Sequence, residues 1–409
     1  MACIRPGLPL ADGAGVTLIV ASPYPESAAA AIVDAAAETG QLAALFQLHK
    51  PQTRLLRWVK WRDGSLGERL GRNFSDVPNA RAIAPMAELG RLIGRRVAVG
   101  TFSRDCMYWA AQVFDSAVAR ERWPSASAII GLPGSSLRTF GRARKQNVRT
   151  VFHAVNAHPR THNELLLAHF SERRVRNELI PTSMVRRVER ELELANLVLT
   201  PSKFVKSQMR GAGVPERALA VLPYGADLHA HPVRDQRRPG PVRVLFVGQV
   251  SHRKGVPILT AAMPSLPLEL TIAGPLVSPP LMSRIPSNCS FVGPVSQRVV
   301  RDLMSHADAF VLPSVEDACA LVVVEAAAAG LPVITTPANG AAELLESDEV
   351  TLVTPGSVSE LRTALTALAP LSSEERRHRQ ARVRARLRVR DWSCYGLDAM
   401  DLALGRSHV

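Results

Sequence analysis

Cysteine is sparse in this 409-residue chain, and the five present, Cys3, Cys106, Cys289, Cys319 and Cys394, form no C-x-x-C pair. Such scatter supplies neither a disulfide framework nor a metal-ligand set, and it fits a reducing cytoplasm. Aromatic residues make up only 5% and do not interleave with basic residues as in a nucleic-acid-binding motif, so no nucleic acid is expected as a partner. No apolar run is long enough to span a bilayer. The N-terminus lacks the basic start and cleavage site of a secretory leader, which again predicts a cytoplasmic location. No G-x-G-x-x-G follows the first apolar run, which argues against a classical dinucleotide fingerprint. No D-x-D pair suggests a divalent-metal site.

What is present is length, apolar content and positive charge. Hydrophobic residues at 46% suit a globular chain long enough for two cores. The formal charge of +14 predicts attraction to something anionic, whether nucleotide phosphates, nucleic acid or an acidic membrane surface. Eight arginines fall between Arg376 and Arg390. They read as a solvated helix face, with contact to an anionic membrane or to the other domain as competing readings.

Short apolar runs alternate with helical patterns twice. The first series opens at 15–22, where Ser22, Pro23, Tyr24 and Pro25 precede an Ala-rich helix, and runs to 218–222. The second opens at Val242–Val247 and continues through Leu268–Ala273, Ala309–Leu312 and Val333–Thr335. Residues 54–96 are polar and basic, and read as helices and long connections over one edge. The expected fold class is α/β, with two Rossmann-like domains facing across a cleft. The boundaries read 1–230 for the first domain, 231–241 for a Pro/Arg/Gly-rich linker and 242–385 for the second domain. A helical tail, 386–409, is expected to pack back on the first domain.

Residues 313–332 draw most attention. They read as a strand end, a loop, then a helix stopped by Gly330 and Pro332. Asp317 stands at the expected helix entrance and Glu325 lies eight residues on, the one charge in an otherwise apolar run. A mostly helical interval would put the two carboxylates roughly 10 Å apart, which suits two ends of a ligand with phosphate between them. Three further loops follow strands of the same domain. Residues 248–255 carry Gly248, Arg253, Lys254 and Gly255; residues 291–294 contain Gly293; residues 337–343 read P-A-N-G-A-A-E.

Taken together, V-L-F-V-G…R-K-G, L-T-I-A-G, F-V-G-P-V, A-D-A-F-V-L-P-S-V-E-D, L-V-V-V-E-A-A-A-A-G-L-P-V-I and N-G-A-A-E resemble the retaining glycosyltransferases of the GT-B fold, family four. The likeness is close over 190–368 and loose before it. It implies transfer of a sugar from a nucleotide-diphosphate donor to a hydroxyl with retained configuration. The acceptor would be a glycan, a lipid-linked sugar or a small molecule, in polysaccharide or glycoconjugate biosynthesis. It further implies no cofactor or metal beyond the donor substrate, and a cytoplasmic site of action that extends to the inner face of the membrane.

By the same resemblance Glu325 holds the ribose hydroxyls, Asp317 approaches the transferred sugar in place of the usual Glu, and Lys254 binds phosphate. Gln249 replaces the family's arginine, with Arg253 as its substitute. The N–H groups of 318–322, among them those of Ala320, Leu321 and Val322, meet the pyrophosphate, and Gly248 and Gly293 line the donor pocket. The family's acceptor-side histidine matches His158 first and His153 second. The catalytic set expected is therefore His158, Asp317 and Lys254. A catalytically inactive relative and a basic nucleic-acid-binding protein are the alternatives.

Overall fold

The computed structural model describes residues 15–23, 26–48, 77, 79–84, 87, 101–226, 240–283, 285–387 and 391–406. Tyr24, Pro25, nearly all of 54–96 and linker residues 231–239 lie outside the described residues.

Two parallel sheets organise the chain. The first contains β1 (Leu18–Ala21), β2 (Leu42–Gln47), β3 (Ala80–Ala82), β4 (Ala128–Gly131), β5 (Arg149–His153), β6 (Leu197–Thr200) and β7 (Leu219–Val221), in the order β3-β2-β1-β4-β5-β6-β7. The second contains β8 (Val242–Val247), β9 (Leu268–Ala273), β10 (Cys289–Gly293), β11 (Ala309–Leu312), β12 (Val333–Thr335) and β13 (Val350–Leu352), in the order β10-β9-β8-β11-β12-β13. Every pairing is parallel. Strands covered on both faces read as unbroken apolar runs, and β1 and β11 are buried at every position. In each sheet the order reverses beside the first strand, at β1/β4 and at β8/β11. Such a switch point leaves a crevice at the carboxyl ends of the strands.

Helices cover both faces of each sheet. In the first they are α1 (Ser27–Glu38), α2 (Thr101–Val118), α3 (Leu137–Lys145), α4 (Pro159–His169), α5 (Glu172–Val175), α6 (Thr182–Leu194) and α7 (Lys203–Gly211). In the second they are α8 (Val256–Ala262), α9 (Gln297–His306), α10 (Leu321–Ala328), α11 (Val358–Thr366) and α12 (Ser373–Leu387). Helix α13 (Trp392–Leu404) crosses back and lies against α1, β1, β4 and β5 of the first sheet. The crossing is close: a Cβ on Gly396 would meet the Ala31 carbonyl oxygen at 2.1 Å. At its start Trp392 and Tyr395 gather with Tyr224 and His153, and the Tyr395 hydroxyl lies 2.7 Å from His153 Nε2. In a chain so poor in aromatics, this cluster ties together the two places where the backbone passes between the domains.

The arginine-rich helix α12 is not simply a solvated face. Arg376 donates from Nε to the Ala329 carbonyl at 3.2 Å, from Nη1 to Ala307 at 2.9 Å and from Nη2 to Met304 at 2.7 Å. One guanidinium thus caps the carboxyl ends of α9 and α10, where orphan carbonyls and the helix dipole favour a cation. Arg382 and Arg386 pair with Asp348 and Glu349, and Arg386 also reaches Glu346 at 3.3 Å. That acidic trio is thereby held by this helix. Arg376→Ala is expected to lower the stability of the second domain by about 2 kcal/mol, since charged hydrogen bonds to three buried carbonyls are lost. Denaturant unfolding of the variant against wild type measures it.

Candidate functional site

The loops at the carboxyl ends of β8 and β11 meet at the switch point of the second sheet. The β8 loop turns sharply into α8. Gly255 stands there at φ +73°, and a Cβ would meet the Pro313 carbonyl oxygen at 2.0 Å, so only glycine lets this loop lie against the β11 loop. The Val315 N–H donates to the Arg253 carbonyl at 2.8 Å across the same seam. The need for glycine at 255 thus comes from protein packing. Gly248 has only ordinary contacts around its missing Cβ, and Gly293, at φ +74°, faces open space.

This seam brings Lys254 directly onto Asp317, with the Lys254 Nζ bonded to Asp317 Oδ2. Arg253 Nη1 lies 3.9 Å from Asp317 Oδ1 and 3.9 Å from Glu316 Oε2, and its Nη2 donates to Gln249 Oε1 at 3.4 Å. The guanidinium therefore sits beside Gln249, the position where the sequence lacks an arginine. Both Lys254 and Asp317 are buried. Burial pushes the Lys254 ammonium below the ordinary lysine range, against the pull of Asp317. Arg253 goes the other way, because the acids around it outweigh the cost of burial.

The helix expected to begin near Asp317 begins four residues later, at Leu321. Tertiary bonds take the intervening residues. The Asp317 N–H donates to the Ala338 carbonyl at 2.8 Å, and the Asp317 carbonyl accepts from the Gly340 N–H at 3.0 Å. The Ala320 N–H donates to Asn339 Oδ1 at 3.1 Å and the Ala318 carbonyl accepts from the Ser202 hydroxyl at 2.9 Å. Two expectations are corrected by this. Asp317 sits in a loop instead of at a helix entrance, so the helical estimate of its separation from Glu325 does not apply. The Ala320 N–H is already engaged by protein. Ala320, at the N-cap position of α10, has no side chain to cap it, and Leu321, Val322 and Glu325 form the helix's one partly exposed face. A helix start is suited to an anion.

The equivalent helix start in the first domain is closed. Glu191 accepts the N–H groups of Gly134 at 2.7 Å, Ser136 at 2.9 Å and Leu137 at 3.1 Å, while Asp115 accepts those of Arg138 and Thr139 at 2.9 Å each. Arg187 bridges the two acids.

His158 does not join the site. It forms the N-cap position of α4 with its ring buried, its N–H donates to Gln208 Oε1 at 3.0 Å, and it lines a cavity of about 530 Å³ with Glu189, Leu192 and Val214. That places its side chain between α6 and α7, away from the β8/β11 seam. Burial pushes its imidazole below the ordinary histidine range. His153 is buried as well, in the aromatic cluster, and burial takes it down to about 4. The histidine that does reach the seam is His162, one helical turn beyond His158, with Nδ1 2.6 Å from Glu316 Oε2. Sequence reasoning missed both. The only available signal was the second acid in the E-D pair and a histidine four residues along the same helix.

Residues 241–369 match the family model for glycosyl transferases group 1. The glycogen synthase of Mycobacterium tuberculosis is 32% identical over 192 residues, which cover 44% of this chain and 46% of that protein. The chain thus spans about half the length of the curated relatives it matches. Among solved structures, sucrose-phosphate synthase from Thermosynechococcus elongatus superposes with a TM-score of 0.68 at 17% identity, covering 95% of this chain and 98% of that one. Anabaena HepE in complex with UDP and glucose gives 0.57 at 16% identity, covering 96% and 100%. These likenesses show the two-domain GT-B fold.

Proposed function

We infer that this chain, a group 1 glycosyltransferase of the GT-B fold, takes its sugar from a nucleotide diphosphate and passes it to a hydroxyl with retained configuration. The observation that carries the reading is the meeting of Lys254, Arg253 and Asp317 at the β8/β11 switch point, four residues before the start of α10. Two cations and a helix dipole converge there on a place fit for a diphosphate. The structural neighbour HepE is a complex with UDP and glucose, and a donor of that class suits this site.

In the reaction the bond from the anomeric carbon to the diphosphate oxygen breaks. The acceptor oxygen bonds to the same face of that carbon, and its proton leaves with the diphosphate. Charge develops on the departing oxygen, and Lys254, Arg253 and the α10 amides neutralise it, so the step needs no metal. Glu325, on the open face of α10, holds the ribose. Asp317 approaches the sugar, and it holds Lys254 in place until the phosphate arrives. A hexose is the sugar proposed, and a glycan or lipid-linked hydroxyl in polysaccharide or glycoconjugate synthesis is the acceptor. The excess positive charge supports work at the inner face of an anionic membrane. No helix among the described residues is long and apolar enough to cross one. The Arg253 guanidinium lies beside Gln249 and keeps the site basic, which favours an active enzyme over an inactive relative.

A thermal-shift screen of nucleotide sugars tests the reading. At ligand concentrations of 100 Kd a true donor is expected to stabilise the fold by about 2.7 kcal/mol, with UDP-, GDP- and ADP-sugars as the panel. Silence across the panel would sink it. Proton NMR of the product's anomeric centre then reads retention directly.

A further inference from the structure

We propose that Glu178 and His162, both in the first domain, are positioning residues for the donor-phosphate site of the second. The proposal rests on the donor reading above. Together they form a strap that holds the Arg253–Lys254 loop and the Glu316–Asp317 loop in register when the cleft is closed.

The geometry is specific. The Glu178 carboxylate accepts the His252 N–H at 2.8 Å and the Arg253 N–H at 2.9 Å, and the His252 ring approaches it through Nδ1 at 2.8 Å. These are the two residues directly before Lys254, so one carboxylate fixes the backbone from which both phosphate-facing cations project. Burial pushes the Glu178 carboxyl up, but the donors from His252 and Arg253 outweigh it and hold it below the ordinary carboxylate range. Its side chain and that of His252 are 6% and 5% exposed. The Phe170 ring meets His252 edge-on at 5.0 Å.

The segment that delivers Glu178 is itself braced. Asn163 exchanges two 2.8 Å bonds with the backbone of Ile180, and His162 Nε2 lies 3.1 Å from the Glu178 carbonyl oxygen. A carbonyl can only accept, so His162 Nε2 carries a proton. Its Nδ1 faces Glu316 at 2.6 Å. Burial pushes the Glu316 carboxyl up, but the His162 bond and the Arg253 charge outweigh it and hold it below the ordinary carboxylate range. The His162 ring thus spans the cleft, from the Glu178 carbonyl on one side to the Glu316 carboxylate on the other. Arg253 and Lys254 of the β8 loop also act on Glu316.

A strap of this kind makes donor affinity depend on residues that touch no donor atom. The bonds from Glu178 to His252 and Arg253 and from His162 to Glu316 run from the first domain to loops of the second, so forming the phosphate site and closing the cleft are one event. A contact that only stabilised the fold would lower the melting temperature and leave donor affinity alone.

The test titrates ADP-, GDP- and UDP-glucose into wild type, Glu178→Gln and His162→Gln by calorimetry, with the melting temperature of each protein measured alongside. Glu178→Gln is expected to weaken the donor bound by wild type about 10-fold, because the two N–H donors lose an anionic acceptor. His162→Gln is expected to weaken donor binding several-fold, because the ring that joins the Glu178 carbonyl to Glu316 is gone. Arg253 and Lys254 are unchanged in both variants, so the loss reads as their misplacement. Wild-type affinity in both variants would overturn the proposal while leaving the donor reading intact. Failure of wild type to bind any of the three would overturn both. If one variant does not fold, the other still decides.

Discussion

Lys254→Gln is expected to cut kcat/KM by about 100- to 1,000-fold, the usual consequence of removing one group aimed at developing charge in a closed site. Glutamine is the informative replacement. Lys254 is buried against Asp317, and removing it outright would leave a buried carboxylate without its main partner, which is costly to the fold itself. An amide keeps a hydrogen-bond donor near Asp317 while deleting the charge, so loss of turnover with a near-native melting temperature isolates the catalytic role. Steady-state kinetics and thermal unfolding on the same preparation provide both numbers. Turnover close to wild type would place the diphosphate elsewhere.

The second large effect is expected at Glu325. Glu325→Ala should weaken donor binding about 10- to 100-fold, the worth of charged hydrogen bonds to a pair of hydroxyls. The fold should tolerate the change well. Glu325 shares the partly exposed face of α10 with Leu321 and Val322, while Val323, Val324 and the alanines after it carry the packing. Alanine also favours a helix interior. A deoxyribonucleotide donor should bind wild type less well and show a smaller difference between wild type and variant, because one of the two hydroxyls is gone.

Much of the fold was legible because buried parallel strands announce themselves. Val242–Val247, Leu268–Ala273, Ala309–Leu312 and Val333–Thr335 are mostly apolar runs with a glycine or proline within two residues of their ends, and the observed strands have those limits. The site was legible as composition and less so as geometry. Lys254, Arg253, Gln249 and Asp317 do converge. The start of α10 was misplaced because Ser314 to Asp317 look like caps, whereas bonds to Ala338, Asn339 and Gly340 pull that stretch away from helix. Nothing local in the sequence reveals a partner on the next strand's loop.

The same limit explains the histidines and the arginines. His158 and His162 lie on one helix turn, and spacing alone does not say which ring reaches the other domain. Glu178 meets His252 across 74 residues of sequence, and His162 meets Glu316 across 154. Such pairings carry no periodic signature. The arginine run of α12 reads as surface because its length and charge do, yet Arg376 finds carbonyls at two helix ends that are remote in sequence. Charge counts forecast an anionic partner for these side chains, and part of that partner proves to be the protein's own backbone and the acids at 346–349.

The most direct test of the central claim is a calorimetric titration of nucleotide sugars into wild type, Lys254→Gln and Glu325→Ala. The expected result is one saturable site in wild type that weakens at least about 10-fold in each variant. Equal affinity in all three proteins, or no binding to wild type by any nucleotide sugar, would contradict it.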